Sequence, residues 1–104
     1  APPADGRFDL ILAAETTYTS SSAYDTALLL SRHLKKGVGV GLLAMKRYYF
    51  GVGGGSDAFR GVCHGMVVKK DGGIWKLVVE TLHVYDNGFG NIRELLRVKL
   101  LPSS

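Results

Sequence analysis

Cysteine is nearly absent from this chain. Its 104 residues contain one, Cys63, so no internal disulfide can form. A lone thiol suits a reducing compartment and excludes a small disulfide-stapled scaffold. Proline is equally scarce, and two of the three prolines stand in the opening Ala1-Pro2-Pro3-Ala4, which reads as a linker. Long hydrophobic runs are missing too. Residues 10–14 and 38–45 are the longest, too short to cross a bilayer, so no membrane association is expected. No basic and then apolar leader precedes them, and secretion is not expected. Nor does charge of one sign gather into a long run. The net charge of +4 comes from scattered lysines and arginines, so direct nucleic-acid binding is not expected.

What is present is enough for one small domain. Apolar residues make up 46% of the chain and charged ones 21%, the balance of a globular core rather than a disordered tail. Residues 8–14 (FDLILAA) form a near-continuous apolar run, the pattern of a parallel strand buried on both faces. Ser22-Ala23-Tyr24-Asp25 has the form of a capping box, and Ala23, Ala27, Leu30 and Leu34 then recur as one helical stripe. Lys35-Lys36 and Gly37 predict its end. A second buried strand is expected over 38–45, continuing through 46–50. Ser56-Asp57 can cap a short helix reaching about Met66, with Lys69-Lys70 also placed near a helix end.

The last third changes period. Residues 74–85 and 92–101 are strand-like around Asn87-Gly88, a strong hairpin signal. On the second arm Ile92, Leu96, Val98 and Leu100 share a face on which Glu94 is the polar exception. Arg93, Arg97 and Lys99 line the other. The predicted order is β-α-β-α-β-β: two parallel strands with helical crossovers and an antiparallel C-terminal hairpin in a single α/β unit.

Two polar segments leave the ends of the first two strands. One is Glu15-Thr16-Thr17-Tyr18, and the other is Tyr49-Phe50-Gly51-Val52-Gly53-Gly54-Gly55. In open α/β sheets ligands bind at the carboxyl ends of strands, and glycines let backbone approach a ligand closely. The candidate site is therefore the pair of loops. Glu-x-x-Tyr at Glu15 and Tyr18, with Lys46 followed by the Tyr49 to Gly55 motif, resembles the histidine protein methyltransferases, a group of the class I (seven-strand) S-adenosylmethionine-dependent enzymes. The resemblance covers about residues 8–59. It implies strands four to seven of a Rossmann-like methyltransferase sheet, with the cofactor-binding first half absent and the chain inactive alone.

The same resemblance implies Glu15 and Tyr18 as catalytic residues and Ala14 and Glu15 as contacts to S-adenosylmethionine. Tyr49, Phe50, Gly51, Val52, Gly53, Gly54 and Gly55 become the substrate side, a slot for a flat imidazole. The implied substrate is a histidine of a protein, with a ribosomal protein as candidate, in the cytoplasm or nucleus. The absent half, or a second copy, would cover residues 8–14 (Phe8 to Ala14). Two segments imitate a nucleotide fingerprint. Gly37-Val38-Gly39-Val40-Gly41 runs from helix into strand, the reverse of the required order, and the Gly51 segment has its distant acid, Asp71, in an Asp-Gly-Gly turn.

Other readings stay open on the residues alone. The chain can be a non-catalytic α/β interaction module, a degenerate methyltransferase subunit, or a small nucleotide-binding domain using the Gly51 loop. His33 stands in a last helical turn, His64 lacks further ligands at zinc spacing, and His83 alternates within a strand, so all three are expected to be structural. Cys63 has no adjacent base to activate it, and Trp75 is expected in the core.

Overall fold

The computed structural model describes residues 8–14, 20–47, 55–89 and 92–103. In chain order the elements are β1 (Leu10–Ala14), α1 (Ser20–His33), β2 (Val40–Lys46), α2 (Ser56–Gly65), β3 (Val68–Lys70), β4 (Gly73–Asp86) and β5 (Ile92–Pro102). They form a mixed α/β domain with one five-stranded sheet in the order β1-β2-β5-β4-β3. β1 and β2 are parallel, with Leu10 beside Val40 and Ala14 beside Ala44. β5 runs antiparallel to β2 and to β4 on its other side. The second arm of the hairpin, not the first, therefore lies next to β2.

One core holds the layers together. Ala23, Ala27 and Leu30 of α1, Leu34 just beyond it, and Phe59 and Cys63 of α2 are buried against Leu43, Met45, Leu77, Leu96, Val98 and Leu100. Both helices thus lie on the same face of the sheet and touch each other. Side chains alternate between faces along a strand, and among the described residues nothing covers the opposite face. Leu10 and Leu12 are 52% and 70% exposed there. The apolar run of residues 8–14 predicts burial on both faces; β1 is instead an edge strand with one face bare.

Several boundaries move for identifiable reasons. Phe8 makes an isolated bridge to Leu34 instead of joining β1, donating its N–H to His33 (3.0 Å) and accepting from Lys35 (3.0 Å). α1 begins at Ser20, so the expected capping box at Ser22 and Asp25 lies inside the helix. Serine costs little in a helix, so the extra residues continue it. β2 starts at Val40, not at residue 38, because Gly37 turns at φ +79° and the Gly39 N–H is spent on Lys35 (2.9 Å). Lys69-Lys70 belongs to β3, an extra strand paired to residues 73–75. Lys70 nevertheless serves a helix end, donating to the Arg32 carbonyl in the last turn of α1 (3.1 Å).

The imitation fingerprint also resolves into packing. A Cβ on Gly39 would lie 2.6 Å from the Lys35 nitrogen and 2.9 Å from the Phe8 oxygen. One on Gly41 would meet the Leu30 side chain at 3.0 Å. These glycines admit backbone and helix, not a nucleotide.

Candidate functional site at the strand ends

Parallel pairing of β1 and β2 brings their carboxyl ends together, with Ala14 and Ala44 adjacent and both exposed. The segments that follow, 15–19 and 48–54, leave from this one edge. Glu15, Tyr18, Tyr49, Phe50, Gly51, Val52, Gly53 and Gly54 lie outside the described residues. Ala14 is the last residue of β1. Gly55 is buried, adopts φ +102° and opens α2 as its N-cap, accepting a hydrogen bond from Phe59 (2.9 Å). That φ favours glycine because a Cβ would crowd the backbone. Lys46 ends β2 and is half-buried.

Between Arg47 and Ser56 is a polar cluster centred on Glu94. This residue is 3% exposed on the face where Leu96, Val98 and Leu100 are fully buried. Arg60, one turn into α2, holds the carboxylate with two bonds, Nη2 to Oε1 at 2.9 Å and Nη1 to Oε2 at 3.1 Å. The Ser56 hydroxyl donates to Oε2, and Arg47 Nη2 reaches Oε1 at 3.4 Å. Arg60 also bonds Asp57 (3.3 Å) and the Thr81 hydroxyl. Burial pushes the Glu94 pKa up, but the hydrogen bonds from Arg60 and Ser56 and the charges of Arg60 and Arg47 outweigh it. The net shift is below the ordinary carboxylate range. Ser56 is thus not the cap of α2, which has no side-chain cap bond; its hydroxyl is committed to Glu94.

Backbone bonds complete the arrangement. Arg47 donates to the Ile92 carbonyl (2.9 Å) and accepts from the Asp57 N–H (3.2 Å). The two ends of the 48–54 segment are therefore bonded to each other and to the start of β5. Sequence reasoning marked Glu94 only as an exception on an apolar face. The usable signal was that a carboxylate in such a position requires cationic partners nearby.

Cys63 is buried and its thiol is pushed up to about 12 by burial, which leaves no thiolate for nucleophilic work. Among the described residues no group of His, Cys, Asp and Glu could hold a metal. His33 packs edge-on against Phe8 at 6.0 Å. Trp75 is half-buried against the core under the Lys36 ammonium, 5.1 Å from the ring centre. The described helices include none long and apolar enough to cross a membrane.

No family model matches the chain. Over 92 residues it is 33% identical to the histidine protein methyltransferase 1 homolog of Dictyostelium discoideum, a match that takes in 88% of this chain and 27% of that protein. The chain thus spans about a quarter of the length of the curated relative it matches, and over that quarter it is related to a methyltransferase.

Proposed function

We propose that this chain forms the substrate-facing part of a class I protein methyltransferase that modifies a ring nitrogen of histidine in a protein, with a ribosomal protein as the candidate substrate. The observation that carries this reading is the 33% identity over 92 residues to a protein bearing that activity in its name. The sheet supports it, because two parallel strands deliver both candidate segments to one carboxyl edge. The four strands β1, β2, β4 and β5 correspond to strands four to seven of the Rossmann-like enzyme. The uncovered β1 edge then receives the rest of a methyltransferase-length polypeptide or a second copy, in the cytoplasm or nucleus.

S-adenosylmethionine, when bound, supplies the methyl group. The described residues permit its approach: Ala14 and Ala44 are small, exposed and side by side where the two parallel strands end. Ala14 and Glu15 would be its contacts from this chain. A neutral imidazole already carries one acceptor nitrogen, so attack requires alignment more than a strong base. Glu15 holds the ring tautomer or takes the proton lost afterwards. Tyr18, Tyr49 and Phe50 orient the flat ring, and the backbone of residues 51–55 lines its approach.

The test is methylation of a histidine peptide by the protein or assembly that carries this chain. Tyr18→Ala and Gly54→Val should each lower kcat about 10²-fold, the cost of a ~1 Å misplacement. Parental rates in both variants would overturn the loop assignment. A parent with no activity would favour the non-catalytic interaction module.

A further inference from the structure

We infer that Glu94 is a positioning residue that sets the root of the substrate-side 48–54 segment. This deepens the methyltransferase reading and rests on it for the reaction affected. Three observations converge. The residue occupies a core position flanked by buried leucine and valine, where an aliphatic side chain would pack without desolvating a charge. Its partners are not scattered: Arg47 immediately precedes the segment, Ser56 follows it after Gly55, and Arg60 lies on the same helix as Ser56. The backbone repeats the connection, since Arg47 accepts from Asp57 and donates to Ile92, two residues from Glu94.

One carboxylate therefore fastens both stumps of the segment to β5. Replacing a buried ion pair by apolar residues of similar volume is commonly neutral or stabilising. Stability alone thus does not require Glu94 here. A fixed separation of the two stumps is what an aliphatic residue could not supply. Arg47 would lose its anchor and Ser56 its acceptor, and the segment's ends would be held by backbone bonds only.

The experiment uses the full protein or assembly carrying this chain, with S-adenosylmethionine and a histidine peptide as probes. The paired variant Arg60→Met with Glu94→Leu removes both charges at near-constant volume. We expect its thermal midpoint to match or exceed that of the parent. We also expect kcat to fall about 10²-fold while KM for the cofactor stays within about twofold, the pattern of lost alignment rather than lost binding. Amide hydrogen exchange across residues 47–57 should quicken about tenfold or more at unchanged global stability. Parental kcat and parental exchange in a folded paired variant would overturn the inference.

Should the paired variant not fold, Ser56→Ala removes one donor to Glu94 and leaves Arg60 in place. Exchange across 47–57 should still quicken about threefold, close to the loss of one modest hydrogen bond; no change would again overturn the inference. Exchange is read independently of activity. A parent that methylates nothing, with a paired variant that still loosens 47–57, sinks the enzyme reading and supports the clasp.

Discussion

Glu94 also governs how this protein should respond to acid. Its folded pKa lies below the ordinary value, because Arg60 and Ser56 overcome the effect of burial. A depressed carboxylate pKa stabilises the fold fully above the unfolded value of about 4.3, and that contribution is lost as pH falls through the lower folded value. Asp71 adds to the same acid limb, held down by its hydrogen bond and charge interaction with Lys36, though it is exposed and its share is small. Urea unfolding from pH 6 to pH 3 should therefore show stability falling below about pH 4. The Arg60→Met, Glu94→Leu variant should show a flatter profile. An equal acid limb in both would mean that the cluster is not the main titrating group. The identity of the residue was legible from the sequence, and so was its misfit on an apolar face. Its partners were not, because Arg47 and Arg60 stand 47 and 34 positions away.

At the scale of elements, the period-3.6 stripe and the hairpin were legible. Ala23, Ala27, Leu30 and Leu34 are all buried as their spacing requires. The hairpin arms run one residue longer at each outer end than the alternation indicated, and the first also gains Asp86 at the turn. Its Asn87-Gly88 turn has Gly88 at φ +79°. β3 was not legible: three residues are too few to show alternation. The Asp71-Gly72 turn that pairs it has both residues at positive φ, as a two-residue hairpin demands.

The glycines before β2 give a test of which constraint dominates. Gly37→Ala places a Cβ in open space at φ +79°, and should cost about 1 kcal/mol. Gly39→Ala drives a Cβ into the backbone of Lys35 and Phe8, which no rotamer can relieve, and should cost about 3 kcal/mol. Urea midpoints rank the two. A Gly37 variant as damaged as the Gly39 variant would contradict the close approach of the Lys35 and Phe8 backbone to Gly39.

For the whole molecule, the consequential feature is a sheet covered on one face. Leu10 and Leu12 stand exposed on β1, which is also an edge with one row of backbone groups unpaired by the described residues. Each leucine forfeits roughly 1.5–3 kcal/mol when wet instead of buried, against a typical stability of about 5–15 kcal/mol for a domain. Such edges recruit another strand. Light scattering of the 104-residue chain at micromolar concentration should thus report a species larger than a monomer, and Leu12→Lys should shift it towards monomer. A parent that remains monomeric and stable would remove the case for a covering polypeptide at β1.

The sequence by itself determined the local elements, because hydrophobic period, turn residues and glycine placement act within a few positions of the chain. It also carried the likeness to a methyltransferase, which is spread over 92 residues of the chain. Only the tertiary structure decided that β5 enters between β2 and β4, that both helices take one face, and that Glu94 joins Arg47, Ser56 and Arg60. Those outcomes depend on which residues meet across dozens of positions. That is settled by the joint burial of one core and by a buried carboxylate's need for counter-charge, neither of which is written in any short stretch of sequence.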